Sequence, residues 1–300
     1  MTEIMRLSQY IKDKYDDLSS RQIKRMLEQG LCTVNGKIES FGSRIIDPKK
    51  DKIKFTPLKQ EEAKKLLIKK TNVVFEDEHI LVYNKEAGWA SLPTESKDVN
   101  HLDEIKKTFK LKFLEPIHRL DKNTSGLLIF AKRKELLKPL GELFQKKTIK
   151  KTYEAIVDGK WKLSKKGQME NYLTLDYKKG PLQKWKVAKR ITAEQKRNRQ
   201  KYKHALTKFE VISVYPTSVH ISLFPETGRT HQLRVQLADI GYPVLGDSIY
   251  ATRFISKHKP KRHLLHARFL EFKHPITKKG LRLEAELPSD FRKILLEGES

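Results

Sequence analysis

The sequence predicts an α+β protein, with a small helical N-terminal unit ahead of a larger domain built on a mixed, largely antiparallel sheet with flanking helices. Three observations predict it. Short runs rich in β-branched and aromatic residues recur at Val73–Phe75, Ile80–Tyr83, Gly126–Lys132, Tyr153–Val157, Phe209–Tyr215, Val219–Phe224 and Leu281–Leu287, each of strand length. Helical spacing falls between them, notably over Lys134–Gln145 and His231–Ile240, but without the regular strand–helix alternation of a parallel sheet. Residues 1–60 carry a different pattern, two helices and a tight hairpin signal.

Within that N-terminal stretch, Leu7, Ile11 and Tyr15 recur at helical spacing. Ser19 and Ser20 offer a cap for a second helix over Arg21–Gln29, and Gly30 a stop. Ile23, Met26 and Leu27 form one face of this helix, and Arg21, Lys24 and Arg25 another. Leu31–Val34 followed by Asn35-Gly36 reads as a strand entering a two-residue hairpin turn, with Lys37 on the returning strand. Two helices, a hairpin and a basic face make a plausible RNA-docking module. The polar stretch 61–71 reads as a linker, and 72–300 as the main domain.

Composition narrows the function. In 300 residues, 63 Lys and Arg stand against 37 Asp and Glu, a formal charge of +26 that calls for a polyanionic partner, most commonly nucleic acid. No apolar run approaches the ~20 residues that span a bilayer, and the basic residues do not gather on one amphipathic helix. The opening residues alternate charged and apolar side chains, unlike a secretory signal. The single cysteine, Cys32, excludes an intrachain disulfide framework and a multi-cysteine zinc site. The expectation is a soluble, cytoplasmic, monomeric protein. The densest basic cluster, Asp176–Lys203, holds 11 Lys and Arg against 2 acids, with Tyr177, Trp185 and Tyr202 interleaved. It reads as an exposed loop, fit to track a phosphate backbone and stack bases, with Lys184 and Lys186 as contacts.

The strongest chemical signal is the run from Ile117 to Lys132, IHRLDKNTSGLLIFAK. It sets a carboxylate, Asp121, on a polar turn behind Arg119 and anchors the turn to an apolar strand. An Asp in a turn is by itself usually a turn residue. The run nevertheless resembles the signature of the RluA-type pseudouridine synthases. Val82–Gly88 is similar to that family's first strand, with Glu86 in place of its usual proline, and Lys151–Ala155 to its tyrosine motif. Thr227–Arg234 (TGRTHQLR), Gly241–Tyr250 and Leu265–Arg268 continue the likeness. At the N-terminus, SSRQIKRMLEQGLCTVNGK resembles the S4 RNA-binding domain.

The resemblance implies roles. Asp121 is the nucleophile, and Arg229 is the cation that keeps it ionised. Tyr153 stacks on the target base or handles a proton in transit. Arg119 fills the space vacated by an everted uridine. Arg21, Lys24, Arg25 and Lys37 contact RNA. His118 and His231 position loops. Isomerisation exchanges no electrons, so no cofactor is expected, and His263, His266 and His274 lack the company a metal site needs. The combination points to 23S ribosomal RNA, with tRNA as an alternative. The rival reading is a non-catalytic S4-type assembly factor, against which stands the joint presence of Asp121, Tyr153 and Arg229.

Overall fold

The computed structural model describes residues 4–298 except 17, 29, 57–65, 94–98, 180–181 and 252. The chain divides into two compact units, 1–65 and 66–300.

The first unit runs β1 (Met5–Arg6), α1 (Leu7–Lys14), α2 (Ser20–Glu28), β2 (Cys32–Val34), β3 (Lys37–Ile38), β4 (Ile45–Ile46) and β5 (Ile53–Phe55). The serine cap forms: the Gln22 N–H donates to Ser19 Oγ (3.3 Å) and the Ser19 N–H returns to Gln22 Oε1 (2.7 Å), a reciprocal arrangement that satisfies two orphan amides. Asn35 (φ 54°) and Gly36 (φ 80°) both take positive φ, as a hairpin turn matching strand twist requires. Leu7, Ile11, Ile23, Leu27, Cys32 and Val34 close the core of this unit. Burial pushes the Cys32 thiol above its ordinary pKa, as befits a small apolar packing residue. Lys24 and Lys37 are exposed. The side chains of Arg21 and Arg25 lie outside the described residues.

The second unit opens with β6 (Val73–Glu76), β7 (Ile80–Lys85), α3 (His101–Thr108), β8 (Glu115–Pro116), β9 (Ser125–Ala131), α4 (Leu137–Gln145) and β10 (Lys150–Asp158). It continues with β11 (Lys166–Lys179), β12 (Leu182–Val187), α5 (Ala193–Arg197), β13 (Lys203–Val214), β14 (Ser218–Pro225) and α6 (Gln232–Asp239). β15 (Leu265–Lys273), β16 (Gly280–Glu284) and α7 (Ser289–Gly298) complete it. The sheet order is β12-β11-β13-β14-β10-β15-β9-β7-β6, with β16 on β15 and β8 on β9. Among the strands described, every pairing in this sheet is antiparallel except β9 with β15.

Alternation along the central strands serves two faces. In β9, Leu127, Ile129 and Ala131 pack with α4, while Leu128 and Phe130 pack with α3. In β10, Ala155 and Val157 meet α6, while Ile156 meets α7. The parallel crossing of β9 and β15 is close, and Gly126 permits it. Its φ is +111°, and a Cβ there would overlap the backbone oxygen of Ala267.

Two expectations need correction. Of the linker placed at 61–71, residues 61–65 lie outside the described residues, and the rest is part of the second unit. Leu66 is buried, Ile68 joins the core beside α3, and the Lys69 N–H donates to Tyr83 Oη (3.2 Å). The basic cluster over Asp176–Lys203 is not an irregular loop for its whole length. It contains the end of β11, all of β12 and α5. Leu173, Trp185 and Ala205 bury against Val235 of α6, so one apolar face suffices to turn a cationic segment into sheet. Lys184 and Lys186 project from it exposed, Lys186 paired with Asp176 at 2.8 Å. Among the described residues no helix is long and apolar enough to cross a membrane.

Candidate active site

Asp121 sits in a turn whose backbone is held at every neighbouring residue. Ser91 Oγ donates to Leu120 O (2.9 Å), and Lys122 O accepts from the Gly88 N–H (2.9 Å) and from Lys85 Nζ (3.1 Å). Arg262 donates to Asn123 O (3.1 Å), and Thr124 Oγ1 bonds His263 Nε2 (2.9 Å). The Thr124 N–H closes the turn on Asp121 O at 3.0 Å. Next along the chain, Ser125 Oγ bonds His266 Nδ1 (2.9 Å), whose Nε2 faces the carbonyl of Ala285 (3.2 Å). A carbonyl only accepts, so the His266 proton is on Nε2. Burial holds His263 at about 3 and His266 at about 4, hence neutral.

Lys85 is fully buried at the end of β7 and donates also to the carbonyls of Glu86 (3.0 Å) and Trp89 (2.9 Å). Burial lowers it to about 7, against the pull of the Asp121 charge. Three carbonyls from two loops, the one after β7 and the one bearing Asp121, converge on one buried ammonium. Glu86, standing where the family motif has proline, pairs with Lys69 at 3.1 Å.

The cation on Asp121 is Arg234, not Arg229. Arg234 Nη1 lies 3.0 Å from Asp121 Oδ2, while its Nε and Nη2 grip Asp247 at 2.6 and 2.8 Å. One guanidinium therefore bridges two carboxylates, using its planar fork for the buried one. Burial works to raise the Asp121 carboxyl, but the imidazole of His231 and the guanidinium of Arg234 outweigh it and hold it below the ordinary carboxylate value. Of those two, Arg234 is the permanent cation, because burial drives His231 below its usual value. Arg229 comes from the turn before α6, where its side chain is exposed and its Nε donates to His204 O (3.0 Å). Arg229 and Arg234 stand five positions apart in one motif, the first on the exposed turn before α6 and the second on the buried face of that helix, which is why the motif alone did not separate them.

His231 begins α6 in the left-handed conformation (φ 55°), which aims its ring at the site. Its Nε2 lies 3.8 Å from Asp121 Oδ2, and its Nδ1 is 2.8 Å from Tyr250 Oη. The Trp185 N–H donates to that same hydroxyl at 3.1 Å, leaving the hydroxyl proton for Nδ1. His118 accepts from the Ile129 N–H through Nε2 (3.1 Å) and so positions its loop.

Asp121, Tyr153, Arg119, Arg229 and Arg234 line one narrow slot of about 100 Å³, with Leu265 among its apolar walls. Asp121, His231 and Arg234 also border a wider cavity of about 720 Å³ rimmed by Lys122, Arg253 and Lys259. Tyr153 projects into the slot where the β10–β15 register shifts at Thr152/Tyr153, an irregularity that re-aims a strand side chain. Burial, then the Asp121 charge, raises its hydroxyl, so it is a phenol at neutral pH. Arg119 is exposed at the rim, with Nη2 3.4 Å from Thr230 Oγ1. Among the described residues no group of three or more His, Cys, Asp or Glu is arranged to hold a metal. The arrangement offers an ionised carboxylate, a flat aromatic wall and a cationic rim.

A sequence model described as RNA pseudouridylate synthase matches residues 79–239, more than half of the chain. The chain belongs to this family. Among relatives, the "Dual-specificity RNA pseudouridine synthase RluA" of Pasteurella multocida is 36% identical over 217 residues, covering 71% of this chain and 92% of the relative. The "Ribosomal large subunit pseudouridine synthase C" of Buchnera aphidicola (subsp. Schizaphis graminum) is 30% identical over 310 residues, covering 97% and 92%. The human "RNA Pseudouridylate Synthase Domain Containing 4" structure superimposes with a TM-score of 0.60 at 24% identity, covering 76% of this chain and 93% of that one, a likeness of fold. The synthase site in this chain contains groups to which sequence reasoning gave no role: Lys85, Arg234, Asp247, Tyr250 and His263. Arg234 carried a signal, since an arginine between Leu233 and Val235 in an apolar helix must find a buried partner.

Proposed function

We propose that the chain isomerises uridines of large-subunit ribosomal RNA in the cytoplasm, with Asp121 as the group that attacks. The reaction breaks C1′–N1, joins C1′ to C5, and moves one proton from C5 to N1. Atoms and electrons balance within the substrate. Asp121 supplies the nucleophilic carboxylate, and Arg234 keeps it charged without engaging both of its oxygens. The ring of Tyr153 forms a wall for the flat base, and its hydroxyl is a protonated group within the slot. Arg119, exposed at the rim, takes the space of the everted nucleotide and offsets part of the few kcal/mol that eversion costs. The N-terminal unit, with Lys24 and Lys37 exposed, adds an S4-like RNA contact.

The observation that carries this reading is the Asp121–Arg234–Asp247 bridge opening into the Tyr153 slot. The ribosomal substrate is supported by the relatives that align along nearly the whole chain. The test is carbodiimide-dependent primer-extension mapping of protein-free ribosomal RNA incubated with the wild type and with Asp121→Asn. The wild type is expected to add discrete pseudouridines and Asp121→Asn none, with RNA affinity within a few-fold. Turnover by Asp121→Asn removes the carboxylate from its role, and a silent wild type on every RNA tried removes the activity.

A further inference from the structure

The cationic segment after β11 also helps to wall a further cleft. This cleft, of about 830 Å³, is walled by Tyr172 of β11, Lys196 of α5, Arg199 just after it, Tyr202 and His204 around the start of β13, and Arg229. Its size is that of a small-ligand site, and no carboxylate is among its lining residues. Glu170 pairs with His204 of the lining at 2.8 Å. The aromatic rings are supported rather than loose. Tyr172 meets His204 edge-on with centroids 5.3 Å apart, and Lys196 Nζ lies 5.8 Å from the Tyr172 ring centre. The turn bearing Tyr202 is fixed by its N–H on Asn198 O (2.9 Å) and by the Lys201 N–H on Asn198 Oδ1 (3.1 Å).

Arg229 connects this cleft to the chemistry. It lines both the Asp121 slot and the cleft, tied by its Nε to His204 O while the rest of its guanidinium stays exposed. Displaced from the carboxylate by Arg234, it is a cation between two cavities. We propose that the cleft is a nucleotide subsite: it receives an unpaired base of the RNA strand that flanks the everted uridine, stacked on its tyrosines, with Arg229 and Arg199 on the intervening phosphates. Aromatic faces beside cations suit unstacked bases, since a ring stacks on any base and each cation neutralises a phosphate. An A-form duplex keeps its base faces covered and presents only phosphates, 2′-hydroxyls and shallow edges. The inference rests on the Asp121 slot being the isomerisation site, and deepens it by naming what lies beside it.

The test is fluorescence anisotropy of the full chain with a labelled single-stranded oligouridine 12-mer and an RNA duplex of the same length, over a range of salt. Tyr202→Ala and Tyr172→Ala are each expected to weaken oligouridine binding about tenfold, the loss of one stacked base. Tyr202→Phe keeps wild-type affinity, and duplex affinity stays within twofold throughout. Arg199→Gln lowers the log–log salt slope on the single strand by about 0.7, one phosphate contact. Thermal melts identify any variant that fails to fold, and Tyr202, at a turn, is the decisive position. Unchanged oligouridine affinity in Tyr202→Ala, or equal weakening on the duplex, overturns the subsite. If the wild type forms pseudouridine and Tyr202→Ala binds normally, the subsite falls and the activity stands. If Tyr202→Ala loses oligouridine while the wild type forms no pseudouridine, the stacking cleft stands and the activity falls.

Discussion

Two arginines of one motif part company at the level of single side chains. Arg234 is buried between Asp121 and Asp247, whose carboxylates have no other cation within hydrogen-bond distance among the described residues. Removing a partner from such a cluster leaves charge stranded in the interior, which costs about 3–5 kcal/mol. Arg234→Met is therefore expected to melt well below the wild type and to show no turnover. Arg234→Lys retains one positive charge but cannot bridge two carboxylates, so the Asp121 pKa rises toward its ordinary value or above. Only the ionised form attacks, so the acid limb of the pH–rate profile moves to higher pH. A profile superimposable on the wild type shows that some other cation holds Asp121. Arg229→Gln acts differently: it weakens RNA binding and its salt dependence and leaves the acid limb in place.

At the level of elements, the site depends on β9 and β15 approaching closely enough for Asp121, Tyr153 and Leu265 to share a slot. Gly126 is the contact point. Gly126→Ala meets both a positive φ and the Ala267 backbone, so the strands must separate. The expected loss exceeds in size the gain of about 0.4–1 kcal/mol that a glycine-to-alanine change brings where the backbone is compatible, and activity is lost with it. Gly141→Ala is the contrast: inside α4, with nothing within 4 Å of the added carbon, it is expected to stabilise by about 0.5–1 kcal/mol. Thermal melts of the two variants check the signs. Equal effects from both remove close strand approach as the reason for Gly126.

For the whole molecule, acid is the weak side. His101, His263 and His266 are buried with pKa values of about 3, 3 and 4. The unfolded chain binds protons at these histidines from about pH 6.5 downward, while the folded chain resists until about pH 4. Stability is therefore intact above pH 6.5 and lost as pH falls, at up to about 1.4 kcal/mol per pH unit for each histidine. Melts at pH 7, 6 and 5 should drop progressively, and His101→Gln should shallow the trend. A flat profile from pH 7 to 5 means these histidines accept protons without unfolding. The first unit has its own core, so a chain starting at residue 66 is expected to fold and to bind RNA with a smaller salt slope. An unchanged slope means the first unit binds something other than RNA.

The linear chain by itself determined strands β6, β7, β9, β10, β13, β14 and β16 and helices α1, α2, α4 and α6 in outline, but not β11, β12, β15, α3, α5 or α7. It also determined the hairpin at Asn35-Gly36, the serine cap and the turn bearing Asp121, because each rests on local spacing or on a few adjacent residues. It determined the chemistry too, since HRLD and GRTHQLR are contiguous runs. Only tertiary structure decided which arginine meets the carboxylate, that Asp247 and Lys85 brace it, and that the cationic segment after β11 is partly sheet. Those outcomes depend on which face of α6 is buried and on partners distant along the chain, Arg234 lying 13 residues from Asp247 and 113 from Asp121, and Lys85 37 from Lys122. The energy of a charge depends on its surroundings, and no run of neighbouring letters specifies them.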